Sequence, residues 1–261
     1  MGYKGLFRPK SRAKTMDNYS NVDGCCIFYK TSRFKLIDLF LFEFQSITLR
    51  KHSQFTSASS SNVAKGMDRM MSKDNIAVAA LMEMNIPGKP PQKIMVVNVH
   101  IHWDPSLCDV KLVQTQLLLE EIVETLARLK QPKLPMLVCG DFNSTPDSAV
   151  YKLLNEGEVP GDHSELFPDK YDYGTYSQNG LSHGIRLKSA YGSLLKEPDF
   201  TNYTGDYVGC LDYIWYTHES IAVSRVLSEI DKQKSFLSAL PAPHFPSDHI
   251  PIAAEFCIRP K

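Results

Sequence analysis

Residues 136–143, Met136-Leu-Val-Cys-Gly-Asp141-Phe-Asn143, read as a buried strand that ends by turning a carboxylate and an amide out of its tip. Strand alternation puts Asp141 and Asn143 on the same side, at i and i+2. Gly140 lets the backbone come close to a neighbour, and Ser144-Thr145-Pro146 turns the chain away. Working outward, Ile94–His102 is a second apolar run that finishes on His100 and His102. Leu211–Tyr216 opens with Asp212-Tyr213, and Pro246-Ser-Asp248-His249 stands near the C-terminus. Each motif alone has an ordinary reading as a turn. The four together, each at a strand edge, suit phosphodiester cleavage with a divalent metal. Asp and Asn oxygens hold a hard cation, His with Asp handles protons, and His or Asn donors stabilise charge on phosphate.

The 261 residues fit a single α/β domain spanning 1–261, with no repeat and no dividing linker. Hydrophobic content of 43% and charged content of 22% are ordinary for a globular chain. No apolar run reaches the roughly 18–20 residues needed to cross a bilayer. The nearest, Leu36–Leu49, is broken by Asp38, Glu43 and Gln45, so no membrane association is expected. The N-terminus opens on a basic stretch with no apolar h-region, which argues against a signal peptide. The six cysteines have no metal-type spacing, and Cys25, Cys26, Cys139 and Cys210 fall in apolar runs. Free thiols of that kind point to a reducing compartment, cytoplasm or nucleus. Net charge is zero, yet Lys4, Arg8, Lys10, Arg12 and Lys14 cluster without an acid among them. They read either as a solvated loop or as a phosphate-tracking rim.

Strand-like runs recur at Cys25–Tyr29, Leu39–Phe44, Ile76–Met82, Ile94–His102, Met136–Cys139, Leu211–Tyr216 and Ile250–Phe256. Leu118, Ile122, Leu126 and Leu129 share one face of a helix over about 109–130, with Asp109 as its cap and Pro132 beyond its end. A short helix is predicted over about 147–155, capped by Asp147 or Thr145. Ser53–Gly66 reads as a serine-rich loop and Pro160–Gly184 as a surface excursion. Many strands with few helices predict two sheets packed face to face and flanked by helices.

Asp212 enters an apolar strand, where an unpartnered carboxylate is costly. His249 is the natural partner, with the carboxylate fixing its tautomer and raising its basicity. An i,i+2 histidine pair suggests zinc only with a third nitrogen or sulfur ligand close by, and none is present. His100 is therefore read as a donor to phosphate, His102 as structural, and Trp103 as core in preference to a stacking platform.

Further segments extend the pattern over nearly the whole chain, in order. They are Gly2-Tyr-Lys-Gly5, Pro9-Lys-Ser-Arg-Ala-Lys14, Val22-Asp-Gly-Cys-Cys-Ile-Phe-Tyr29 and Lys73-Asp-Asn-Ile-Ala77. His100-Ile-His-Trp-Asp-Pro105, Asp109-Val-Lys111, Gly140-Asp-Phe-Asn-Ser144, Leu187-Lys-Ser-Ala-Tyr191, Asp212-Tyr-Ile-Trp-Tyr216 and Pro246-Ser-Asp-His249 follow. In these the chain resembles the Ccr4-type poly(A) deadenylases of the endonuclease/exonuclease/phosphatase superfamily. The resemblance implies an α/β fold, a two-sheet β-sandwich flanked by helices. It also implies 3′→5′ removal of adenosines from single-stranded poly(A) RNA as 5′-AMP, with Mg²⁺, in a Ccr4-Not type complex in the cytoplasm or nucleus. It casts His100 on the scissile phosphate and Asp141 with Asn143 on nucleophile or metal. Asp212 orients His249, and Asp248 assists at the metal. Pro105, Asn202 and Tyr207 match positions that hold the adenine. The family's main metal-binding Glu, in a Gln-Glu-Val type motif, precedes the segment matching Gly2-Tyr3, and this sequence begins at Met1 without it. The expectation is an N-terminally truncated catalytic domain of uncertain activity. The alternatives are a non-catalytic RNA-binding or assembly fragment, or another phosphodiesterase of the fold such as a 2′-phosphatase.

Overall fold

The computed structural model describes residues 2–51, 61–88, 90–167, 169–228 and 239–259. The first half of the chain forms β1 (Tyr3–Pro9), β2 (Gly24–Lys30), β3 (Phe34–Glu43), α1 (Phe44–Arg50), α2 (Ser61–Met71), β4 (Ile76–Met84) and β5 (Gln92–His100). Then come α3 (Cys108–Arg128), β6 (Met136–Asp141), α4 (Ala149–Glu156), β7 (Glu158–Val159), α5 (Thr175–Asn179) and β8 (Leu181–Ser182). The last part is β9 (Leu187–Ser189), α6 (Ala190–Leu194), β10 (Asn202–Tyr203), β11 (Val208–Gly209), β12 (Asp212–Thr217), β13 (Ile221–Val226) and β14 (Ala254–Ile258).

A six-stranded sheet runs β3-β4-β5-β6-β12-β9. Every neighbouring pair is antiparallel except β5 with β6. Parallel neighbours cannot be joined by a hairpin, and α3 supplies the crossover between them. Alternation on β4 explains how both faces are covered. Ala77, Ala79 and Leu81 join a core with the inner faces of α1, α2, α3 and α4, represented by Phe44, Met70, Leu117 and Leu153. Ile76, Val78, Ala80 and Met82 point the other way, against Cys25, Ile27 and Tyr29 of β2 and Ile221 of β13. A strand buried on both faces reads as an unbroken apolar run, as Ile76–Met82 does. The second layer of the sandwich consists of two separate ribbons, β1-β2 and β13-β14.

Several expectations are corrected by packing. Asp109 does not cap α3: Leu107 precedes the helix, and Asp109 lies wholly buried inside it. Arg69 grips its carboxylate with Nε and Nη2, both at 2.8 Å, and the Tyr173 hydroxyl donates at 2.5 Å. The cap of α4 is Ser148, whose hydroxyl accepts from the Tyr151 N–H, so neither Asp147 nor Thr145 serves. Of the loop expected over Ser53–Gly66, residues 53–60 lie outside the described residues and 61–66 are the opening of α2. The Pro160–Gly184 excursion buries Leu166, Tyr173, Tyr176 and Leu181 in the main core, and β8 pairs there with β7. Residues 101–102 and 250–253 continue beyond their strands.

Breaking a buried ion pair from one side leaves the other charge uncompensated. Arg69→Met should therefore cost about 3–5 kcal/mol, read as a lowered urea midpoint. Arg225→Met, which removes an exposed partner of Glu255, should hardly move it. Equal, small shifts would mean that Asp109 does not depend on Arg69.

Candidate active site

Three neighbouring strands place their polar residues in one row. In the parallel β5/β6 register His100 sits opposite Asp141, and in the antiparallel β6/β12 register Asp141 sits opposite Asp212. His100 Nε2 lies 3.6 Å from Asp141 Oδ2. The row is possible because Gly140 has φ +146°, and an added Cβ would fall 1.9 Å from the Val99 carbonyl oxygen. Only glycine fits there.

Past the strand, Asn143 adopts a left-handed backbone (φ 46°), which asparagine tolerates better than most residues. Its N–H donates to Asp141 Oδ1 at 2.8 Å, and its amide donates to the Ile101 carbonyl at 3.0 Å and to Asp141 Oδ2 at 3.2 Å. The buried Lys111 of α3 donates from Nζ to the Asn143 carbonyl at 2.8 Å. Asn143 is thus clamped from both ends.

His249 arrives from the C-terminal loop, tied by a β-bridge to Asn202. Its Nδ1 is 2.7 Å from Asp212 Oδ2, and Thr201 donates its hydroxyl to the same oxygen at 2.6 Å. A carboxylate beside Nδ1 assigns the proton to that nitrogen and turns Nε2 toward Asp141, 3.9 Å away. The hydrogen bond that His249 donates to Asp212, then the charges of Asp212 and Asp141, lift His249 to about 9 against the desolvation that opposes it. Burial pushes the Asp141 carboxyl well up, and Asp212 adds to that. Burial pulls His100 down. The Asp–His couple read from sequence is therefore formed.

Asp141, Asp212 and His249 offer ligand atoms within 4.8 Å of one another. Two carboxylates and an imidazole make a donor set acceptable to a hard divalent cation. The burial and like charge that raise Asp141 are what a bound cation would offset. Asp248 stands outside this trio and accepts from the Asn202 amide at 3.3 Å, though both line the same cavity.

That cavity, of about 1000 Å³, also brings together Pro105, Tyr207, His100 and Asn143. All the residues cast from sequence as catalytic, metal-holding or adenine-holding therefore line it. His102 is buried, and its N–H donates to the Gln114 side chain at 3.0 Å. Trp103 overturns its reading: it is 67% exposed and lines the cavity. The basic stretch is largely neutralised. Lys10 pairs with Asp23, Arg12 with Asp23 and Asp74, and Lys14 with Glu43, which leaves little of a phosphate rim. Sequence reasoning missed Thr201 and Lys111. A lysine interrupting the apolar run Val110–Val113 was the available signal for the second.

Residues 12–249 match the model of the Endonuclease/Exonuclease/phosphatase family. The "CCR4-Not complex 3'-5'-exoribonuclease subunit Ccr4" of Mycosarcoma maydis is 44% identical over 280 residues, covering 98% of this chain and 40% of that protein. Its namesake in Schizosaccharomyces pombe is 37% identical, covering 99% of this chain and 39% of that protein. The chain thus spans about two fifths of the length of these relatives. Among solved structures, ANGEL2, a 2',3'-cyclic phosphatase, superimposes with TM-score 0.70 at 24% identity, covering 98% of this chain and 74% of that one. The human Nocturnin catalytic domain gives 0.62 at 22%, covering 99% and 73%. At these identities the structures speak for the fold alone.

Burial, with Lys73 and Lys111 nearby, holds the His102 imidazole down at about 4 against an ordinary 6.5. The unfolded chain then takes up this proton first. The contribution of a neutral His102 is complete above pH 6.5 and is lost as pH falls toward 4. Between pH 7 and 5 the wild type should lose about 2 kcal/mol more than His102→Gln, measured by urea unfolding at both pH values. Parallel losses would show that His102 stays solvated in the fold.

Proposed function

The chain belongs to the Endonuclease/Exonuclease/phosphatase family, and on that premise we propose that its site removes adenosines from the 3′ end of single-stranded poly(A) RNA with Mg²⁺, releasing 5′-AMP. The observation that carries this reading is the in-register row His100–Asp141–Asp212 closed by His249 at 2.7 Å from Asp212. The naming of its relatives as Ccr4 exoribonuclease subunits supports the direction of cutting. On the same ground we propose a Ccr4-Not type complex as its assembly, working in cytoplasm or nucleus.

Asp141 and Asp212 would hold the cation with Asn143 and Asp248 at hand, and the ion supplies positive charge against the phosphate oxygens. The chain's own groups account for the protons. Asp141, whose Oδ2 lies between the His100 and His249 rings, is placed to accept a proton from the water that attacks phosphorus. His249, cationic at neutral pH because Asp212 holds its Nδ1, donates its Nε2 proton to the O3′ that leaves as the P–O3′ bond breaks. The products are 5′-AMP and a strand one nucleotide shorter. His100, kept neutral by burial, donates its N–H to the non-bridging oxygens. Pro105 and Tyr207 offer flat walls to the adenine, and the Asn202 side chain offers a hydrogen-bonding edge.

A second reading is favoured by one observation: among the described residues, the cluster able to hold a metal contains no glutamate. On that reading the chain binds RNA without cutting it. A 5′-labelled oligo(A) in Mg²⁺ separates the two. The proposal expects a ladder shortening from the 3′ end, absent in EDTA. Binding without a ladder establishes the second reading and overturns the first.

Asp212→Asn and His249→Ala should each slow the ladder about 10²–10⁴-fold. Because Asp212 acts through His249, the double variant should be no slower than the worse single. Losses that multiply, in variants with native circular dichroism, would separate the two residues functionally.

A further inference from the structure

Trp103 is a large apolar side chain that the fold leaves exposed. It is 67% exposed, while Trp215, the chain's other tryptophan, is fully buried. A lone exposed apolar side chain is unremarked on most surfaces, but this one lines the cavity that contains His100 and Asp141. Its indole meets the His102 ring only obliquely, at 6.0 Å and 47°, and makes no other ring contact among the described residues. Its face is therefore left for something flat.

The row of strands sets its position relative to the scissile phosphate. His100 is on β5 and Asp212 on β12, with β6 between, so the two flanks are about two strand spacings, roughly 10 Å, apart. Asn202 and Tyr207 belong to the β12 flank, where Thr201 holds Asp212. Trp103 belongs to the β5 flank, just past His100 and His102. At about 1000 Å³ the cavity is at the upper end of small-ligand pockets and has room beyond one nucleotide.

We propose that Trp103 is the stacking platform for a second base, that of the nucleotide retained on the strand after cleavage. A terminal adenine held by Asn202 and Tyr207 on the β12 flank leaves the indole, on the β5 flank, to the next base along the strand. Stacking on indole is tolerant of base identity, so this subsite measures strand continuity. The sugar and phosphate that link the two bases would then lie across His100 and Asp141. This rests on reading the site as one for single-stranded RNA.

Intrinsic fluorescence tests it, since Trp215 is buried and Trp103 alone meets solvent. In EDTA, so that no strand is cut, the probes are 5′-AMP and the oligo(A) dimer and pentamer. Binding of end-labelled pentamer is followed separately by anisotropy. The dimer and pentamer should quench the solvent-exposed emission, whereas 5′-AMP should not. Trp103→Leu should abolish the quench and weaken pentamer binding at least about fivefold, the low end for one base–aromatic stack. Trp103→Phe should recover most of the affinity. Pentamer that binds without quenching, or an equal quench by 5′-AMP, overturns the second-base subsite and leaves the RNA reading standing. Failure of every oligonucleotide to bind overturns both.

Discussion

Asp141 is a carboxylate held where burial opposes its charge, beside a second carboxylate on the next strand. Such an arrangement is unstable unless neighbours supply positive charge or donors. The surroundings read as answers to that requirement. The Asn143 N–H and amide donate to it, His249 turns a cationic Nε2 toward it, and His100 lies against its other side. The neighbours need their own supports in turn. Thr201 and Asp212 fix His249, Lys111 fixes the left-handed Asn143, and the bare Cα of Gly140 lets β6 pass Val99 closely enough to keep the register.

The parallel pairing of β5 with β6 makes this possible. Parallel strands end at the same edge, so His100 and Asp141 finish side by side, as ligand sites in open α/β sheets commonly do. The antiparallel β12 enters where β6 leaves, so its first residue, Asp212, completes the row. The cost falls on α3, which must cross back over the sheet. Its length and its near-complete burial against the helical core are consistent with that single task.

Much of this was legible in the sequence because it depends on local pattern. The apolar run before Asp141, the run before His100 and the four-leucine-type face of α3 each signal their element by periodicity alone. The pairing of Asp212 with His249 was legible by a different route: a carboxylate entering an apolar strand demands a partner, and few candidates remained. What failed depended on distant residues. Asp109 has the chemistry of a cap, yet Arg69 and Tyr173, far along the chain, draw it into the core. The basic stretch looked free of acids because Asp23, Asp74 and Glu43 reach it only in the fold. Trp103 was read by the habit of its residue type, and composition carries no sign of which tryptophan is buried.

The two imidazoles beside Asp141 show how one fold separates roles at a single pH. Both have the same intrinsic basicity, and both lie within 4 Å of the same carboxylate oxygen. They diverge because His249 has Asp212 behind its Nδ1, whereas His100 is mainly desolvated, with Lys10 adding to the effect and the more distant Asp23 carboxylate opposing it. One is driven toward the cation and the other toward the neutral ring. Titratable groups whose surroundings push them apart in this way mark which can give up a proton and which can only orient or donate a hydrogen bond. The assignment follows from the partner on the far side of each ring, and for His249 that partner is fixed by the register of β12 against β6.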